Sequence, residues 1–217
     1  MRNSLIAFCL CLCLSLMLAC GEKVPQQETP PAEPVEKVAD NLDLSAIPTK
    51  AARLAVPLRA EETIQALKSK NLRALAKLVH PEMGLRFSPQ VSVETNHKVF
   101  KAKELRELFR DSTVYEWGAQ DATGDPIQST FNAYYKRYLY DVDFAATDSV
   151  YYNQPQQHGN AINNVAKAYP GCIVVEYYIP GVEANMMGMD WRALRLVFEP
   201  YEDDWYLVGI VHAAWTS

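Results

Sequence analysis

Cysteine is almost missing from the body of this chain. Four of its five cysteines fall in "FCLCLCLSLMLACG" (Phe8–Gly21), and only Cys172 stands beyond it. If the N-terminal run is a cleaved signal and Cys20 is modified, as read below, Cys172 is left alone and no intramolecular disulfide is possible. A basic excess is lacking too, since 21 Lys and Arg face 26 Asp and Glu. No basic stripe interleaved with aromatics occurs, which argues against a nucleic-acid partner and against membrane attachment through a polybasic patch. GxSxG, GxGxxG and P-loop patterns are absent, and with them the local signatures of acyl transfer, dinucleotide binding and NTP binding. The histidines at 80, 97, 158 and 212 show no HxxxH spacing. "DATGDP" has two acids around a glycine but lacks the ligand positions of a calcium loop and reads as a solvated turn. Nothing in these patterns asks for a metal or another cofactor.

What is present begins at the N-terminus. Arg2 is the only charged residue before Glu22, and Leu5–Leu18 is apolar apart from Ser15. Those fourteen residues would reach about 21 Å as a helix, short of the ~30 Å hydrocarbon core. A positive start, a short apolar run and a small residue before a break describe a signal peptide over residues 1–19. Leu18-Ala19-Cys20-Gly21 resembles the lipobox of bacterial lipoproteins. The resemblance implies lipidation of Cys20, cleavage after Ala19 and acylation of the new N-terminus. It places the protein in the cell envelope, on the outer face of the cytoplasmic membrane or in the outer membrane. The alternative is an ordinary secretory signal that happens to end on a cysteine. Cys9, Cys11 and Cys13 then act as small hydrophobes in a discarded helix, since their alternating spacing is not that of a zinc site.

Residues 20–45 follow as a tether. Pro, Glu and Gln dominate "GEKVPQQETPPAEPVEKVADNLDLS", and no aromatic residue occurs. Such a stretch cannot bury enough apolar area to offset its ordering entropy. From residue 46 to 217 Tyr and Trp become frequent, and 20 acidic against 18 basic side chains leave this part nearly neutral. It is long enough for one domain.

Hydrophobic spacing divides that domain. A helix is expected over 60–70, and Asn71 should cap a second one whose face is Leu72, Leu75, Ala76 and Val79. His80-Pro81 should end it. An extended piece over 84–89, a helix over 101–111, a strand over 113–117 and a loop over 118–126 follow. Phe131, Tyr134, Tyr135, Tyr138, Leu139 and Val142 give 129–144 a helical stripe, and 162–169 reads as a helical turn or two. Runs over 172–179, 193–199 and 205–215 read as strands, the last two as a hairpin with a loop of four or five residues.

The fold class is therefore α+β, with N-terminal helices packed on an antiparallel sheet. "IQALKSKNLRALAKLVHPEMGLRF" is similar to the opening of NTF2-like (SnoaL, ketosteroid-isomerase-like) domains, whose last strands form a curved meander around a hollow. Residues 120–170 would then be a helical insertion. "HPEMGLRFSP", "YDVDF", "AINN", "VEYYIPG", "GMDWRALRLVFE" and "WYLVGIVHAAWT" resemble an uncharacterised family of bacterial exported lipoproteins, a resemblance that implies no activity.

Charges inside strands carry the site reading. If Pro200 pairs with Trp205, Arg195 and His212 become diagonal neighbours on one face. With Arg86 and Glu176 they would form a polar cluster in a cavity. The competing readings are a structural Glu–Arg pair with a satisfied histidine, or a homodimer contact through this sheet face. A pocket under the sheet would be lined by Tyr135, Tyr138, Tyr177, Tyr178, Trp191 and Trp215, with Arg86 or Arg195 anchoring an anionic group. Cys172 reads as an inert core thiol. Two function classes remain: a membrane-tethered module binding a small molecule, envelope component or partner protein, and an NTF2-like enzyme using acid–base chemistry.

Overall fold

Thr49 opens the first helix, its Oγ1 accepting the Ala52 amide at 3.1 Å. The computed structural model describes residues 43–121, 123–156, 162–181 and 183–215. The signal peptide, the lipidation site Cys20, nearly all of the tether and His158 lie outside the described residues. Helix α1 runs Lys50–Lys68 with Pro57 inside it, ten residues earlier than the spacing over 60–70 predicts. Proline removes a helical hydrogen bond and disfavours helix at the residue before it. Here Ala52, Val56, Ala60, Ile64 and Leu67 recur at helical spacing and are all fully buried, and tertiary packing of that face outweighs the local cost. Asn71 caps α2 (Leu72–Leu78) as expected, accepting the Ala74 amide at 3.0 Å. His80 then accepts the amides of Glu82 and Met83 on Nδ1, at 3.2 and 3.1 Å, and turns the chain toward the sheet.

The remaining elements are β1 (Leu85–Ser88), β2 (Val99–Phe100), α3 (Ala102–Leu105), β3 (Tyr115–Ala119), β4 (Pro126–Ser129) and α4 (Phe131–Tyr134), which continues as a π-helical turn through Leu139. Then come β5 (Val150–Tyr152), α5 (Val165–Ala168), β6 (Ile173–Ile179), β7 (Arg192–Tyr201) and β8 (Asp204–Ala214). Six strands form one sheet in the order β2-β1-β8-β7-β6-β5. Every pairing in it is antiparallel except β1 with β8. Strands β3 and β4 make a separate two-stranded ribbon. The α+β class is thus observed.

Several segments differ from their expected form. The helix over 101–111 is regular only through Leu105 and continues as turns. Part of the 118–126 loop belongs to the β3–β4 ribbon, and β5 has no counterpart in the sequence reading. The β7–β8 turn is tighter than four residues, since Tyr201 already pairs with Asp204. Glu202 in that turn adopts φ 53°.

The sheet has two covered faces. On the inner face Phe87, Val175, Leu194, Leu196, Phe198 and Ile210 pack against α1, α2 and the aromatic segment around α4. Trp117 stacks on Tyr134 with ring centroids 4.0 Å apart, and Phe87 meets Trp117, Phe131 and Tyr134 edge-on. On the outer face Val174, Val197, Val208 and Val211 form a smaller cluster with Val93, Val165 and Tyr169. Asn164 fastens this cover by exchanging two hydrogen bonds with the Val93 backbone, at 2.7 and 2.9 Å.

A β-bulge decides which face each charge takes. Pro200 pairs with Trp205, as assumed from sequence, and Phe198 pairs with Leu207. Val197, however, pairs with Gly209, so Val208 is an extra residue on β8. Side chains alternate faces with period two, and one inserted residue reverses the phase beyond it. Arg195 therefore opposes Val211, and Leu194 opposes His212. The expected diagonal contact between Arg195 and His212 does not form, because the two lie on opposite faces.

Candidate functional site

Glu176 and Arg195 are direct cross-strand partners on the outer face. Arg195 Nε donates to Glu176 Oε2 at 2.6 Å, and its Nη2 donates to the Gln156 carbonyl at 3.1 Å. The Gln156 amide donates to Glu176 Oε1 at 2.8 Å. Both carboxylate oxygens are thus engaged, and the side chains are 0% and 4% exposed. A carboxylate so occupied is not free to take a substrate proton. This is the closed Glu–Arg pair, one of the competing readings of these residues.

His212 belongs to a second constellation. Its Nε2 lies 3.0 Å from Asp141 Oδ1, while Arg192 Nε donates to Asp141 Oδ2 at 2.8 Å. Tyr138 and Phe144 stand edge-on to the imidazole. Burial alone would raise the Asp141 carboxyl, but hydrogen bonds and charge from His212 and Arg192 outweigh it and hold the pKa below the ordinary value. Asp141 escaped the sequence reading. The signal available was an acid set inside the aromatic stripe, between Leu139 and Val142, within "YDVDF".

Arg86 forms a third. It sits on β1 with Val99 and Gly209 as register partners. No ion pair forms at Arg86 among the described residues, and its Nε is buried without a hydrogen-bond partner. Its guanidinium lies 6.0 Å from the centre of the Tyr169 ring. The Tyr169 hydroxyl hangs over Gly209, where an added Cβ would fall 2.5 Å from it. That hydroxyl is buried and also lacks a partner. Burial pushes the Tyr169 pKa up to about 12 against the opposing pull of Arg86. Nearby, His97 is 2% exposed. The Glu94 amide donates to its Nδ1, and Ser88 Oγ lies 2.9 Å from the same atom. An amide only donates, so Nδ1 carries the lone pair and the proton of the neutral ring sits on Nε2. Burial, then the charge of Arg86, push the His97 pKa down to about 4. Its Nε2 is a further buried donor without an acceptor.

The other expected pocket residues do not gather. Tyr135 is buried on the inner side and donates to the Leu67 carbonyl at 2.6 Å. Tyr178 is half-buried on the opposite face, near Trp191. Trp215 is exposed just past the end of β8. Against the inner face stand Trp117, Phe131, Tyr134, Tyr135, Leu139 and Phe144, all buried. A cavity of about 360 Å³ lies elsewhere, lined by Phe100, Leu108, Tyr115 and charged residues of the 104–111 segment. Burial pushes the half-buried Cys172 thiol up to about 11, which keeps it protonated and unreactive at neutral pH.

The chain matches no family model, no curated protein and no solved structure. Among the described residues no group of three or more His, Cys, Asp and Glu is placed to hold a metal ion. Among the same residues no helix is long and apolar enough to cross a membrane.

Proposed function

We propose that this chain is a lipid-anchored lipoprotein of the cell envelope whose domain binds a small molecule, an envelope component or a partner protein and does not catalyse. The anchor rests on the Cys20 lipobox and the Pro/Glu-rich stretch after it. The NTF2-like reading of the domain is supported by two helices joined at Asn71 and leading into β1, and by the closing β6-β7-β8 meander. The observation that carries the non-catalytic reading is the occupation of Glu176, whose two oxygens are both taken by Arg195 and Gln156. The Asp141–His212 contact favours the second reading, an acid–base enzyme, but Arg192 closes that carboxylate as well.

Two measurements test this. Intact-mass analysis and membrane fractionation of the expressed protein should show a lipidated Cys20, with Cys20→Ser released or unprocessed. An unmodified Cys20 in the wild type overturns the anchor. A thermal-shift screen of the mature chain against small molecules and envelope fractions should yield saturable stabilisation without turnover. Conversion of a bound compound that disappears in His212→Gln overturns the binding reading in favour of the enzyme.

A further inference from the structure

We propose that the Arg86 guanidinium and the Tyr169 hydroxyl form an oxyanion-binding site on the outer sheet face, taking the carboxylate or phosphate group of a ligand. The inference rests on the binding-module reading and names the chemistry of its ligand.

Arg195 is matched by Glu176, Arg192 by Asp141, and Arg59 by Asp204 and Glu62. Arg86 is half-buried and has no carboxylate beside it among the described residues. A guanidinium partly removed from water without a counter-charge is an unfavourable arrangement unless something anionic completes it.

Arg86 Nε–H and the Tyr169 hydroxyl are buried and unpartnered. They are neighbours, since the guanidinium carbon lies 6.0 Å from the Tyr169 ring centre and the hydroxyl hangs over Gly209, the register partner of Arg86. The guanidinium and the hydroxyl attract one another, but neither Arg86 Nε nor the Tyr169 oxygen is engaged in a well-formed hydrogen bond. The phenolic oxygen can accept as well as donate, but its proton still needs an acceptor, and a single oxyanion would accept from both the hydroxyl and the guanidinium fork.

Gly209 lies beside Arg86 on β8, and its missing side chain is what lets the Tyr169 hydroxyl reach the sheet there. Val174, Val197, Val208 and Val211 keep the floor around Tyr169 apolar, where a charge–charge contact is strengthened. His97 is neutral at pH 7 and adds no second positive charge. Arg86 as a residue remains partly exposed, and its register partner Val99 is exposed, so this edge of the sheet faces solvent.

The test uses the full chain, with sodium phosphate, sodium acetate and sodium chloride titrated at matched ionic strength while the melting temperature is followed. Phosphate stabilises many proteins by exclusion from their surface, an effect that does not saturate. A site shows a saturable rise, absent in chloride. Arg86→Gln should weaken that binding about tenfold or more, and Tyr169→Phe about fivefold, as expected for one charged and one neutral hydrogen bond. Arg73→Gln, an exposed change on α2, should leave it unchanged. Without anion Arg86→Gln should melt at or above the wild-type temperature, because it removes an uncompensated charge. Saturation by phosphate alone assigns a phosphate group, and by acetate alone a carboxylate.

Equal responses to all three salts overturn the proposal. So does a saturable rise that survives in both variants. If Arg86→Gln does not fold, Arg86→Lys replaces it: the charge stays and the fork is lost, so at least a several-fold weakening is expected, and undiminished binding refutes the site. A screen compound bound equally well by wild type, Arg86→Gln and Tyr169→Phe refutes this site and leaves the module reading standing. Turnover of a bound compound refutes the module reading and leaves the site.

Discussion

Protonation of His97 should make folding acid-sensitive well above the carboxylate range. The ring titrates near 6.5 when unperturbed and near 4 in the folded domain. Between those values the unfolded chain binds a proton that the folded chain refuses, so stability falls as pH falls from 6.5 through 4 and is level below that. His97 is 2% exposed, so solvent screening does little to reduce the effect. Relative to pH 8 the loss from this one group is about 2 kcal/mol at pH 5 and about 3 kcal/mol at pH 4. The assay is urea unfolding followed by the fluorescence of buried Trp117, at unit steps from pH 8 to 4, in chloride with zwitterionic buffers. His97→Gln is the reference, because a glutamine oxygen can still accept from the Glu94 amide. The difference between the two stabilities should change by about 1.2 kcal/mol between pH 6 and 5. Parallel curves would show that His97 ionises normally in the folded state, and the reasoning from burial and Arg86 would fail.

Other consequences can be measured on the same footing. Arg195→Met should cost about 3–5 kcal/mol in urea unfolding, because it strands a buried carboxylate, whereas the double change with Glu176→Leu should recover most of that loss. Equal costs for single and double variants would deny the pairing. Gly209→Ala should destabilise by about 1–3 kcal/mol, since the new Cβ would fall 2.5 Å from the Tyr169 hydroxyl. A neutral result would mean that the hydroxyl moves freely. Asp141 has a depressed folded pKa, so its contribution is present above the unfolded value near 4 and vanishes as pH falls through the folded one. Asp141→Asn should lower stability at pH 7 and lose part of the wild-type decline below pH 4, which a pH series of melting temperatures will register.

Sequence resolves the elements whose signal is local. Asn71 is a cap because its side chain reaches an amide three residues on. The long apolar runs over β6, β7 and β8 leave little choice but strand. The first half of α1 is hidden because Pro57 argues locally against a helix that only its buried face sustains. The site is harder, since its logic is non-local. Leu207, Val208, Gly209, Ile210 and Val211 contain no polar residue to mark a face, so nothing in the string betrays the bulge that separates Arg195 from His212. Asp141 meets its histidine across 71 residues of chain. Arg86, by contrast, stands out in sequence as a charge inside a short strand, and what sequence withholds is that no acid among the described residues comes to meet it.

The position of β8 in the strand order governs when this domain can exist at all. Strands β1 and β2 form one fragment, β5, β6 and β7 another, and β8 alone bridges them. A chain that has emerged only as far as residue 203 therefore holds both margins of the sheet and nothing to join them. The early hairpin must wait, its apolar side open, until a strand made more than a hundred residues later slides in beside it. Such late, long-range closure slows folding and lengthens the interval in which the chain can aggregate or be cut. A chain cut short ahead of β8 is left with two half-sheets and no strand to join them.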